Sequence, residues 1–318
     1  MIVDLMPTDD QTLIADSVGS LFAAALPVAR LRDAANRYGG AERASWSDLA
    51  GLGLFGLGVA ADQGGIGYTV AEEILVAQLA GLHLVSPTLL ATMLAAHGGD
   101  PAPYTDGRRV AFAQQRPGGE AQLFDAEEAD EFLFLAGDEA ILVPASAASG
   151  RERVEMIDEM VSIDRAVLDL AAGRSLSGDI VTRADLLLSA YLSGIAKGAL
   201  DMAVAYAGTR EQFGQPIGAF QAIKHSCADM ALRVEAAFCQ TCYAGALAES
   251  GAPGNQPTAS ARLLAERAAL LNGRANIQIH GGMGFTDEAD AHLYLKRAHV
   301  AAALNGDKNR LRANVLAG

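Results

Sequence analysis

Apolar residues recur at helical spacing over two long stretches of this chain and gather into short runs between them. From residue 8 to about residue 100 the pattern reads as helices separated by glycine-bearing turns. Thr8 and Asp9 stand as N-caps ahead of the apolar run Leu13 to Leu26, and a second helix is expected from near Arg30. The segment Trp46-Ser47-Asp48-Leu49-Ala50-Gly51-Leu52-Gly53-Leu54-Phe55 leads to Ala61-Asp62-Gln63-Gly64-Gly65-Ile66-Gly67. Residues 70 to 97, rich in Ala, Leu and Val with Glu72 and Glu73 early, continue as helix.

From Asp106 to about Gly178 the period changes. Val110 to Gln114, Glu131 to Ala136, Ala140 to Pro144 and Val154 to Ile157 are short apolar segments between Gly, Ser and Asp, which predicts a small β domain. Gly137-Asp138 predicts a hairpin with a short loop. From Ala184 helical spacing returns in segments 184 to 210, 219 to 250, 257 to 280 and 286 to 304, long enough and closely enough joined to pack as an antiparallel bundle. The expected fold is mainly α with a small central β domain, divided as 1–105 helical, 106–180 a reduced β domain and 181–318 a helical bundle.

With 318 residues, 51% of them hydrophobic, the chain can bury sizeable cores. Its formal charge of −14 leaves no basic face for a phosphate backbone, which argues against nucleic acid and requires any phosphate-bearing ligand to be held locally. No basic region precedes the short apolar run at the N-terminus, so no secretory signal is expected. No uninterrupted apolar run reaches the length of a spanning helix, and a cytoplasmic location follows as the default. Cys227, Cys239 and Cys242 fall on one amphipathic helix without further ligands at matching spacing, and are expected to be buried, reduced thiols rather than a metal or redox site. Gly64, Gly65 and Gly67 follow no strand and precede no Lys-Ser/Thr pair, so they predict a tight turn rather than a phosphate cradle.

Two segments carry candidate chemistry. In Tyr206-Ala207-Gly208-Thr209-Arg210-Glu211-Gln212-Phe213-Gly214-Gln215-Pro216-Ile217, Arg210 ends a helix ahead of Phe213 and Gln221. Its guanidinium can clamp a pyrophosphate while the aromatic ring covers a flat heterocycle; alternatively Arg210 only complements the helix dipole and Phe213 is a core side chain. In Gln278-Ile279-His280-Gly281-Gly282-Met283-Gly284-Phe285, the paired glycines either let a ligand approach the backbone or simply cap a helix ending near His280.

Together these segments, with the pieces around Trp46 and Gly64, resemble the acyl-CoA dehydrogenase family, flavoenzymes that desaturate the Cα–Cβ bond of acyl-CoA thioesters. The resemblance implies the order helical domain, β domain, four-helix bundle. It also implies that Arg210, Phe213, Ile217, Gln221, Gln278, Gly281 and Gly282 touch the ADP part of an FAD mounted on a neighbouring subunit. Two departures qualify it. The stretch Phe112 to Phe124 has neither the Thr-Glu-Pro nor the Trp-Ile-Thr-Asn-like segment with which the family seats the flavin, and Trp46, the only tryptophan, lies elsewhere.

Desaturation also needs a base for the α-proton. The family's usual glutamate position matches Asn305, whose amide is no base, and the alternative position on the first bundle helix matches Ala184. Asp307, on a continuing helix, would face away from Asn305. The histidines, 83, 97, 225, 280, 292 and 299, form no recognisable triad motif.

The chain therefore looks like the shorter, non-catalytic subunit of the α2β2 acyl-CoA dehydrogenases of actinobacterial steroid degradation. In that case a full-length partner brings the glutamate and the flavin seat, with one FAD per unlike pair and electron-transfer flavoprotein as the usual acceptor. The alternative is a binding or scaffold protein that kept the fold without flavin.

Overall fold

A computed structural model describes residues 5–116, 118–176, 178–251 and 255–317. Helix α1 (Asp9–Ala25) opens with a capping box: Thr8 Oγ1 accepts from the Gln11 amide at 3.2 Å and Gln11 Oε1 accepts from the Thr8 amide at 3.0 Å. Asp9, named beside Thr8 as a cap, is instead the first helical residue. The helix expected from Arg30 is a 3₁₀ turn, Val28–Arg32, because the Arg30 guanidinium turns inward to serve backbone carbonyls. Short helices α2 (Gly40–Ala44) and α3 (Trp46–Gly51) follow. The glycine turn is real: a Cβ on Gly65 would lie 2.1 Å from the Val59 carbonyl oxygen, and Gly64 and Gly67 have φ of +93° and +85°.

The helix expected over 70–97 is two helices, α4 (Val70–Leu82) and α5 (Thr88–Ala96), followed by α6 (Ala102–Thr105). Leu84 turns left-handed at φ +51°, and Ser86-Pro87 restarts the chain. The carbonyls orphaned by this break are met by buried side chains from distant elements. Arg30 Nη1 donates to His83 O at 2.8 Å, Arg297 Nη1 to Leu84 O at 2.6 Å, and the Tyr191 hydroxyl to Val85 O at 2.6 Å.

Beside the break, Asp125 is fully buried, accepting from Ser86 Oγ at 2.6 Å and the Ser162 amide at 2.7 Å. Burial pushes its carboxyl up from 3.8 to about 6. Between those values the unfolded chain releases a proton that the folded chain keeps. Stability therefore falls as pH rises through that window, by up to about 3 kcal/mol. Urea unfolding at a series of pH values should show this slope, and Asp125→Asn should flatten it; an unchanged slope in the variant would assign it elsewhere.

The middle of the chain is a seven-stranded sheet, ordered β5-β6-β2-β1-β3-β4-β7. Its strands are β1 (Val110–Gln115), β2 (Ala121–Phe124), β3 (Glu131–Ala136), β4 (Glu139–Pro144), β5 (Ala148–Val154), β6 (Ile163–Leu168) and β7 (Arg174–Ser175). Only the β1/β3 pair is parallel. The expected hairpin stands, with Ala136 opposite Glu139 and Gly137 at φ +60° between them. The fourth expected segment, 154–157, shares only Val154 with β5. That strand is an exposed edge of Ser, Gly, Arg and Glu whose pattern has no buried face to betray it.

The C-terminal helices are α7 (Ile180–Thr209), α8 (Gln221–Glu249), α9 (Asn255–His280), α10 (Ala291–Ala303) and α11 (Lys308–Ala317), with a small hairpin β8 (Glu211–Gln212)/β9 (Gln215–Pro216) after α7. α7 is the spine, packed on α4, α8, α9 and α10. It meets α4 backbone to backbone. A Cβ on Gly194 would fall 1.9 Å from the Gln78 carbonyl oxygen, and one on Gly81 1.9 Å from that of Tyr191.

By mean hydropathy rather than uninterrupted runs, two helical stretches, Asp9–Arg32 and Ile180–Thr209, are long and apolar enough to cross a membrane, which corrects the expectation of none. The second is this spine, 72% of its most apolar window being buried in the protein. The cysteines are free thiols on α8, but none is buried as expected: Cys227 and Cys242 are half-buried, Cys239 is exposed, and burial pushes the Cys242 thiol up to about 12.

Candidate functional site

The last turn of α7 and the last turn of α9 come together at one end of the bundle. There the Tyr206 and His280 rings stack at 4.1 Å, 21° from parallel, while His280 Nδ1 bonds the Asn276 carbonyl at 2.9 Å. The two segments separated in sequence thus form one surface. Arg210 is the C-cap of α7, as the dipole reading expected, yet its side chain is exposed and has no ion-pair or hydrogen-bond partner among the described residues.

The core reading of Phe213 fails. The residue is 93% exposed at the tip of the β8/β9 hairpin, with φ +54° next to Gly214 at +78°. An aromatic ring held in water on a left-handed backbone gains nothing from this chain alone. Phe220, at 6.1 Å edge-on, is its neighbour.

Ile217 is half-buried, Gln221 and Gln278 are exposed, and Gly281 and Gly282 lie exposed just past α9. Gly281 takes φ +60°, so it does cap the helix, and a Cβ on Gly282 would meet nothing within 4 Å. The backbone is therefore capped and also open to a ligand. These groups suit one end of a dinucleotide: a free guanidinium for phosphate charge, an exposed ring for a flat heterocycle and a glycine backbone with no side chain over it. Met283 and Phe285, 42% and 78% exposed, extend the surface; both lie inside the second segment, and only their exposure in the fold marks them out.

Asn305 belongs to a polar network with Asp185, Arg310 and Arg262. The chain leaves α10 at Leu304, and Asn305 turns left-handed at φ +49° before α11 begins. Asn305 Nδ2 donates to Asp185 Oδ1 at 2.9 Å, Arg310 Nη2 donates to Asp185 Oδ2 at 2.8 Å, and Arg262 Nη2 donates to Ala301 O and Leu304 O at 2.9 and 2.7 Å. Asp185 lies next to Ala184, so both base positions border one network. Burial raises the Asp185 carboxyl above its ordinary range, against the pull of Arg310 and Arg262.

Asp307 does not continue a helix, contrary to expectation. It starts α11, its Oδ1 accepting from the Asn309 and Arg310 amides at 2.9 and 3.1 Å, and its carboxylate is spent on that cap. Of the histidines, His97 bonds buried Glu73 at 2.7 Å, and Arg183 pairs with the same carboxylate.

The stretch Phe112 to Phe124 is the β1/β2 hairpin, closed by the Arg116 amide on Glu120 O at 2.8 Å. Trp46 is buried, stacked on Phe55 at 4.5 Å and bonded through Nε1 to Gly107 O, so it cannot cover an isoalloxazine ring.

The architecture is a helical layer, a small seven-stranded sheet and a C-terminal helical bundle. Residues 181–318 match the family described as acyl-CoA dehydrogenase, C-terminal domain, and residues 8–100 its N-terminal domain. The chain belongs to the acyl-CoA dehydrogenase family, whose enzymes depend on FAD. It is 30% identical to acyl-CoA dehydrogenase IpdE2 of Mycobacterium tuberculosis over 94% of each chain. It is 34% identical to acyl-CoA dehydrogenase FadE34 of the same organism, matching 86% of this chain but spanning only 42% of that protein.

Among solved structures it shares the fold of the Tcur3481–Tcur3483 steroid acyl-CoA dehydrogenase variant, with a TM-score of 0.81, 24% identity and 97% of each chain covered. The ChsE4–ChsE5 complex from Mycobacterium tuberculosis gives a TM-score of 0.80 at 23% identity, covering 98% of this chain and 97% of that one.

Proposed function

We propose that this chain is the non-catalytic subunit of a heteromeric acyl-CoA dehydrogenase, an α2β2 assembly with one FAD per pair of unlike chains. A full-length partner supplies the flavin seat and the glutamate base. Arg210, Phe213, Ile217, Gln221, Gln278, Gly281 and Gly282 hold the ADP part of that FAD from across the interface. The carrying observation is the coexistence of an exposed, unpartnered dinucleotide surface with a base position closed by Asn305 and Asp185. We take residues 1–105, 106–180 and 181–318 as its three domains and the cytoplasm as its location.

Bound FAD supplies the hydride acceptor for the substrate β-carbon. This chain's part is to bind and orient: Arg210 offsets phosphate charge, Phe213 shields a flat ring from water, and the open backbone at Gly281-Gly282 donates N–H groups. The acyl group is a bulky, steroid-derived thioester. The steroid enzyme among the structures sharing the fold and the short β1/β2 hairpin, which leaves room beside a partner's site, support that choice. Electron-transfer flavoprotein is the acceptor.

The test is co-purification of the tagged chain with a full-length dehydrogenase, reading flavin absorbance and stoichiometry together. A yellow complex with one FAD per unlike pair is expected. A colourless chain that forms no complex would overturn the reading in favour of a flavin-free scaffold, and a preference of the complex for linear acyl-CoAs would overturn the steroid assignment. Arg210→Ala should weaken FAD retention by the complex by about 1.5–3 kcal/mol, roughly ten- to hundredfold, read as flavin loss on dilution.

A further inference from the structure

A hollow of about 350 Å³ lies between the outer face of α9 and α11, ending at Arg274, one helical turn before Gln278. Its rim carries Arg267, Arg274, Arg312 and Lys308, and its floor includes Leu270 and Leu271. Lys308 is paired with Glu266 at 2.6 Å, whereas the three arginines have no ion pair or hydrogen bond among the described residues. Four cations against one carboxylate form a local positive site on a chain of net charge −14. Such a concentration is unfavourable without an anion, since like charges repel and the long side chains lose entropy when brought together. Nearby His299 feels the field: burial first, then Arg274 and Lys308, hold its imidazole below the ordinary range.

Arg267 and Arg274 are seven residues apart on α9, so they rise from one helix face two turns apart. Planar guanidinia in that arrangement suit phosphate oxygens, which they bind in fork geometry, while the leucine floor suits a flat apolar ring. The volume falls at the small end of small-molecule sites. We propose that this hollow binds a phosphorylated nucleotide, its phosphates on Arg267, Arg274 and Arg312 and its base on the leucine floor. The site belongs to this chain alone and does not depend on the half-site reading.

Calorimetric titration of the full-length chain with adenosine 3′,5′-bisphosphate and, separately, with pyrophosphate tests it. Both should bind, the nucleotide more tightly because only it covers the floor, and both should weaken as salt is raised. Arg267→Gln with Arg274→Gln should weaken each probe by about tenfold per arginine. Both side chains are exposed and unpartnered, so the melting temperature of this double variant should not fall below the wild-type value, which separates lost binding from lost fold. Arg210→Ala should leave both affinities unchanged.

Absence of binding at millimolar probe, unchanged affinity in the double variant, or loss in Arg210→Ala alone would each overturn the proposal. An acidic peptide that binds as tightly as the nucleotide would overturn it too, by making the hollow a protein-docking surface.

Discussion

Alanine in place of Arg297 is expected to remove about 3–5 kcal/mol of folding stability, enough to leave little folded chain at physiological temperature. This guanidinium is buried on α10 and serves three other parts of the molecule. Nε bonds Asp158 at 2.7 Å, and Nη1 bonds Leu84 O at 2.6 Å, Val85 O at 3.1 Å and the Tyr191 hydroxyl at 3.0 Å. Deleting it strands the Asp158 carboxylate in a place water does not reach and removes a donor from the two carbonyls freed by the break between α4 and α5. Arg297→Lys keeps the charge but cannot reach all four acceptors, so it should fall between wild type and alanine. Urea unfolding of the three proteins checks this. A loss below about 1 kcal/mol for the alanine variant would mean that the network contributes little net stability.

Glutamate at position 305 should destabilise the chain by about 1–3 kcal/mol and confer no dehydrogenase activity on the isolated chain. The wild-type amide donates to Asp185 Oδ1 at 2.9 Å; a carboxylate there cannot donate and sets a second negative charge against a buried one. Arg310 and Arg262 offset part of that repulsion, which bounds the loss. Combining Asn305→Glu with Asp185→Asn exchanges donor and acceptor and should recover most of the stability. Thermal melts and turnover with FAD and acyl-CoA provide the readouts. Turnover appearing in the single variant would sink the half-site reading, because it would require a flavin seat within reach of residue 305.

Local features were legible where a residue's role depends on neighbours in the chain. The Thr8 N-cap, the Gly137-Asp138 hairpin and the glycine turn at 64–67 each follow from side chains and backbone freedom within a few positions. The two glycine- and aromatic-bearing segments at 206–217 and 278–285 were also picked out locally, since such residues are unusual at plain helix ends. What failed did so for non-local reasons. The continuous helix over 70–97 is broken at Leu84 because Arg30, Tyr191 and Arg297 arrive from elsewhere to satisfy its loose carbonyls. Asp307 was placed on a helix that in fact ends at Ala303, since Arg262, buried in α9, ties down the Ala301 and Leu304 carbonyls.

By itself the amino-acid sequence determined the helical or strand character of most regions and the family likeness, because periodicity and residue chemistry are properties of the chain. Only the tertiary structure decided that Tyr206 and His280 join two distant segments into one exposed surface and that Phe213 stands in water rather than in a core. It alone also decided that Asn305 donates to buried Asp185. Those outcomes depend on which helices pack together, and that packing turns on close approaches such as Gly81 and Gly194, where α4 and α7 meet without side chains between them.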